Sequence, residues 1–392
     1  MKEGFRFVDV DMHIKEPYDL FDKYLDPSFK HRVSSGVNLT RFNAYHWLID
    51  GRPLKTDGDL LQFHRGGDGF NKKNPNVAFA AERGYDPEST LIAMETEGVD
   101  IAVLFPTVGL YFTARPDLDP RLSLALCRAY NDWLHDYCQK SPDQLKMAAM
   151  LPVQDVNLAC QELRRCVRDY GAVGAFLRPG YMNGRYWHSI YWGALYHELE
   201  EMGVPLCFHD GTSAHSSELE QRFGPNRFLR HVASHPSEMQ LALIALLLGG
   251  IYEFHPKLKT VFLEAQSWWV PGLLERMELD LPYHRADAPY LKLTPLQYWK
   301  RNCFSAIQSG ERTLGAIIDY LGDAATLTVS TDFPHFDSHY PEVSRRVLEN
   351  PSITRQLGGQ ILSGGARLYG FGEEDFRKAD AAAAQRRGTK GR

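Results

Sequence analysis

The chain has 392 residues, 44% hydrophobic and 24% charged, with a formal net charge of -5 and an isoelectric point near 6.3. That composition belongs to a folded protein with a sizeable core and excludes a mainly disordered chain. Lysines and arginines are scattered among acids without a basic stripe, which speaks against nucleic-acid binding.

The longest apolar run, Leu241 to Tyr252, is shorter than the ~20 residues of a membrane span, and the charged start Met1-Lys2-Glu3 lacks a signal-peptide core. The expectation is a cytoplasmic protein acting on a small molecule, with neither nucleic acid nor membrane as partner. The six cysteines form no Cys-x-x-Cys pair and read as reduced thiols, Cys160 and Cys166 as core residues of one helix.

In chain order, the first predicted strand is the stretch Phe5 to His13, an apolar run that ends in a carboxylate and an imidazole two residues apart. Side chains two apart on a strand point to the same side, so Asp11 and His13 could grip one cation. Asp9 shares that face but lies deeper and reads as structural. Glu16 to Asn76 shows no sustained period and reads as an insertion long enough to be a lid, anchored by Tyr45, His46 and Trp47.

From Pro87 onward a regular rhythm begins. Helices are predicted at Glu88–Gly98, Pro120–Lys140, Asn157–Tyr170, Tyr191–Met202 and Glu238–Gly249. Strands are predicted at Asp100–Pro106, Lys146–Val153, Val173–Pro179 and Val204–His209, then one ahead of His235, Lys259–Ala265 as the seventh and Thr326–Ser330 as the eighth.

Short apolar strands separated by helices imply a parallel sheet covered by helices, and eight units favour a closed (β/α)8 TIM barrel of the α/β class. A doubly wound open sheet is the competitor, but no G-x-G-x-x-G follows the first strand. Residues 1–371 read as one barrel domain carrying the 16–76 insertion, and 372–392 as a flexible tail.

In a barrel, functional groups collect at the C-terminal strand ends. Strand one ends in Asp11 and His13, strand five in His209, the sixth unit in His235 and strand eight in Asp332. Two imidazoles and two carboxylates suit one divalent cation, zinc or manganese. Arg178 could clamp a substrate carboxylate or form a rim ion pair. Trp268, Trp269 and Phe333 could wall an aromatic pocket or simply pack. Glu264 reads as a buried structural acid, and Glu16, His215, His335 and His339 lie near the expected mouth. Asp210 could hold His209 from behind or begin a turn.

Taken together, VDVDMHIKEP, LFPTVGL, RAYNDWL, FLRP, FHDGT, SHPSEM and STDFPH resemble the amidohydrolase superfamily. The resemblance is to the amidohydrolase-related branch that contains metal-dependent nonoxidative decarboxylases, and it runs from Val8 to about Tyr369. It implies Asp11, His13, His209 and Asp332 as metal ligands, His235 with Glu238 as a catalytic relay, Asp332 as a further proton-handling group, and a homodimer. Asp11 stands where hydrolytic members carry a histidine, and Arg178 stands where a bridging lysine would be, which argues for one metal. Nonoxidative decarboxylation of a small aromatic or conjugated acid is the favoured expectation. Metal-dependent hydrolysis of an amide, lactone or carbon-carbon bond is the alternative, and a noncatalytic barrel is the third reading.

Overall fold

The computed structural model describes residues 4–38, 45–53, 75–180, 184–211, 217–224, 226–335 and 337–390. Its main sheet has eight parallel strands. In chain order these are β1 (Val8–His13), β5 (Ile101–Phe105), β6 (Leu145–Met150), β7 (Gly174–Leu177), β8 (Leu206–Phe208), β9 (Thr260–Phe262), β10 (Cys303–Ile307) and β11 (Leu327–Val329). Each strand pairs with the next, and nearly every residue in them is buried, because helices cover the outer face.

The circle closes through a side chain. Asp9 of β1 accepts from the backbone N–H of Thr331 at 3.1 Å and from its hydroxyl at 2.5 Å, and His13 N–H donates to the Phe333 carbonyl at 2.8 Å.

Local chemistry sets the helix limits. Asp86 accepts from Ser89 N–H ahead of Pro87, and Gly98, at φ 90°, ends the helix Pro87–Glu97. Asp155 caps Val156–Tyr170, and Gly171, at φ 68°, closes it. These helices fall close to the predicted spans.

Two predicted strands differ. Among the described residues no strand lies between β8 and His235; that residue lies inside a helix, Arg227–Leu248, which runs through Pro236. Proline lacks an N–H and disfavours helix in the residue before it, so His235-Pro236 reads as a break although the helix continues past it. The true sixth barrel strand is β9, and the seventh is β10, which the sequence reading missed. β10 follows the helix Pro295–Asn302 with no intervening turn and carries Ser305 mid-strand, whose hydroxyl bonds that of Ser267 at 2.7 Å.

The insertion is not structureless. Its described part includes an antiparallel sheet of β2 (Val33–Asn38), β3 (Tyr45–Ile49) and β4 (Arg52–Pro53). Trp47 packs on Phe21 and Phe112, Arg32 pairs with Asp50 and Asp119, and Arg115 donates to the Ile49 carbonyl. The side chains of Tyr45 and His46, and residues 54–74, lie outside the described residues.

The expected flexible tail is instead a helix, Glu373–Lys390. Phe376 and Ala379 pack on Val8 and Ile101 at the start of the first two barrel strands, while Arg386 pairs with Glu88 and Glu95. A run rich in alanine is a good helix former, and here it also has a surface to cover.

Candidate metal centre

The barrel mouth gathers residues from four separate places in the chain. The β1–β5 register slips between Asp9 and Met12. Such irregularities re-aim side chains, and Asp11 lies within this one. His13 ends the strand, His209 follows β8 by one residue, and Asp332 follows β11 by three. Asp11, His13 and His209 bring donor atoms within 4.8 Å of one another, as do His13, Asp332 and His335. His209 Nε2 lies 3.2 Å from Asp11 Oδ2, and His13 Nε2 lies 3.6 Å from Asp11 Oδ1 and 3.5 Å from Asp332 Oδ1.

The tautomers follow from the backbone. His13 Nδ1 faces the Pro106 carbonyl at 2.8 Å and His209 Nδ1 the Asp210 carbonyl at 2.7 Å. A carbonyl oxygen only accepts, so both rings donate from Nδ1, and in the neutral rings Nε2 is left as a bare lone pair. The two Nε2 atoms stand 3.0 Å apart. Two lone pairs at that distance repel unless a proton or a cation lies between them. Beside them, among the described residues, neither oxygen of Asp11 has a hydrogen-bond donor. Buried oxygens in this state cost free energy. The donor set fits a divalent ion of borderline or hard character.

The electrostatics point the same way. Burial, with His335 and His209 nearby, drives His13 well below its ordinary value. Burial also lowers His209, but the Asp11 and Glu264 carboxylates outweigh it and raise the ring to about 9. Burial and neighbouring acids push Asp332 and Glu264 well up. Without a metal, the cluster recruits protons to supply the positive charge it needs.

Glu264 is the residue the sequence reading placed wrongly. It follows the true sixth strand by two residues, its Oε2 lies 3.2 Å from His209 Nε2 and 3.7 Å from His235 Nδ1, and its φ is 54°. Asp332 shares that φ. Left-handed backbone in a non-glycine residue costs about 1–3 kcal/mol, and such strain clusters at functional sites. The sign of φ is invisible in sequence; the only available signal was that Glu264 closely follows a strand. His335 is likewise a site residue, its Nδ1 2.7 Å from Asp332 Oδ1 and its ring stacked on His13.

The remaining candidates divide. His235 bonds His231 at 3.1 Å and lies 3.9 Å from Asp210. Glu238 is one turn further along the same helix, raised to about 7 by burial and by Asp210. Among the contacts described, the carboxylates within 4 Å of the His235 ring are those of Glu264 and Asp210. Arg178 is buried, bonding Asp210 at 2.7 Å and the Leu110 carbonyl at 3.2 Å, the ion pair that was the other reading of this residue.

A cleft of about 120 Å³ at the mouth is lined by Glu264, Asp332, His231, Asp337, Ser309 and His339, among others. Trp268 and Phe333 are not among its lining residues. Trp268 is half exposed at a helix start, and Phe333 is packed between Phe79 and Tyr340. Trp269 is in the core against Phe262 and Trp299. Glu16 accepts from the N–H groups of Thr107, Val108 and Gly109, a structural use. His215 lies outside the described residues.

A parallel barrel whose strand ends converge acids and imidazoles on one mouth defines the class: a TIM-barrel protein with a candidate metal centre at its C-terminal face. A sequence model described as Amidohydrolase matches residues 54–357, and the chain belongs to that family. It is 27% identical over 228 residues to a gamma-resorcylate decarboxylase of Rhizobium sp., covering 55% of this chain and 68% of that one.

Solved structures share the fold, among them the two that follow. An amidohydrolase from Mycobacterium avium subsp. paratuberculosis superposes with a TM-score of 0.68 at 22% identity, covering 96% of each chain. A 5-carboxyvanillate decarboxylase from Novosphingobium aromaticivorans, complexed with manganese and 4-hydroxy-3-methoxy-5-nitrobenzoic acid, gives 0.69 at 19% identity, covering 94% of this chain and 97% of that one.

Proposed function

We propose that this protein is a metal-dependent nonoxidative decarboxylase of a small aromatic or conjugated carboxylic acid. Asp11, His13, His209 and Asp332 would hold one divalent ion, manganese or zinc. The observation that carries the reading is the pair of facing Nε2 atoms beside the donor-less oxygens of Asp11. The choice of decarboxylation over hydrolysis is supported by what the relatives are named for.

When bound, the ion supplies positive charge that draws electron density from the substrate as carbon dioxide leaves. The residues do the rest. The backbone carbonyls of Pro106 and Asp210 fix both imidazoles in the ligating tautomer. Glu264, at the cleft wall, is the acid placed to deliver the proton that replaces carbon dioxide on carbon, and His235 behind it returns that proton. Arg178 fixes Asp210, which faces the His235 ring. On the same footing we take the protein to be cytoplasmic and homodimeric, its single barrel domain including the terminal helix. Among the described residues no helix is long and apolar enough to cross a membrane, and the exposed Phe228 and Val232, one helical turn apart, offer an apolar face for a second copy.

The test is to load the purified protein with manganese or zinc and offer a panel of hydroxylated aromatic acids. Carbon dioxide release that disappears on chelation supports the reading. Bound metal with no release, but cleavage of amide or lactone substrates, favours hydrolysis, in which Asp332 would take the proton of the attacking water.

A further inference from the structure

Decarboxylation consumes one proton per turnover: the carbon–carboxylate bond breaks, its electron pair stays on carbon, and a proton from solvent fills the position. The wall of the cleft offers a side-chain route by which that proton can reach Glu264. His235, buried, sets Nδ1 3.7 Å from Glu264 Oε2 and Nε2 3.1 Å from His231 Nδ1. His231 in turn places Nε2 3.6 Å from Asp337 Oδ2. Exposure is graded along this line, with side chains 5% exposed at His235, 29% at His231 and 33% at Asp337. The two rings meet edge to face, 4.6 Å between centroids.

We propose that His231 and His235 form a two-imidazole proton relay inside the cleft wall, carrying a proton from solvent at Asp337 to Glu264. An imidazole accepts at one nitrogen and donates from the other, so two in series move a proton without moving an ion. The proton enters at His231 Nε2, leaves from its Nδ1 to His235 Nε2, and leaves His235 Nδ1 for Glu264; each ring ends as the other neutral tautomer. His231 acts through His235 and is a positioning and relay residue. It lies twenty-two residues beyond the nearest proposed metal ligand in the chain, His209, and touches none of them in the contacts described.

The relay rests on the decarboxylation reading, so two measurements keep the two apart. In the metal-loaded enzyme, His231→Gln keeps a hydrogen-bonding group but cannot pass a proton. It is expected to lower kcat by about 10²-fold with KM and metal content unchanged, and imidazole added to the buffer should restore the rate saturably. A native rate, or a loss that imidazole does not restore, overturns the relay. Independently of turnover, nitrogen-15 NMR of the zinc-loaded protein should show the His231 Nδ1 resonance shifting on His235→Gln. An unchanged resonance overturns the relay even in an active enzyme, and a shifted one supports the hydrogen-bonded pair even if no aromatic acid proves to be a substrate.

Discussion

The two ends of the barrel treat charge in opposite ways. At the N-terminal end the charged groups around the terminal helix meet counterparts. Arg6 bonds Asp380 at 2.8 and 2.9 Å and reaches Asp100 at 3.4 Å, Asp100 accepts from Phe7 N–H, and Arg386 pairs with Glu88 and Glu95. Nearby, buried Glu97 accepts from Val343 and Ser344 N–H and from the Ser344 hydroxyl. At the C-terminal end, Asp11 is as deeply buried as Glu97 and has no such donor. Satisfied carboxylates hold a fold together; donor-less ones beside facing lone pairs are waiting for a cation.

Removing the acid at the cleft wall should break the functional end alone. Glu264→Gln is expected to lower kcat by roughly 10²–10⁴-fold while the protein still binds one ion, checked by steady-state kinetics beside metal analysis. A loss of metal instead would make Glu264 a ligand.

The pH response sharpens the contrast. Burial opposes the charge on His209, but its carboxylate neighbours raise it from 6.5 to about 9. A group raised in the folded state stabilises fully below its unfolded value and loses that contribution as pH rises through the folded one. The raised acids Glu264 and Asp332 act with the same sign, because there too the folded state holds the extra proton. The melting temperature of metal-free protein should therefore fall between about pH 6.5 and 9, while metal-loaded protein should hold, since the ion replaces those protons.

At the opposite end, Phe376→Ala should cost about 3 kcal/mol in chemical denaturation through lost packing on Val8 and Ile101, with kcat unchanged. Reduced turnover in the folded variant would mean the two ends are coupled.

Much of this was legible in the residues. Asp11 and His13 follow from strand alternation, and His209 and Asp332 from their places at the ends of apolar runs. The barrel followed from the alternation of strands and helices. What misled was local. Pro236 disguised a continuous helix as a boundary, which promoted His235 to a strand end and displaced Glu264 from the sixth. Cys303–Ile307 had no turn to announce it. Arg178 kept two readings open because its partner Asp210 lies thirty-two residues away, a pairing that only the fold brings about. The aromatic residues Trp268 and Phe333 were at strand ends, but strand ends also have packing to complete.

The central claim is that four scattered side chains share one ion, and a metal count tests it most directly. After dialysis against manganese and removal of excess, the native chain should retain one ion per molecule. Asp11→Asn, which removes a donor-less charge, should weaken retention by more than about 100-fold. A native chain that retains none, or an Asp11→Asn chain that retains its ion with native affinity, would contradict the account.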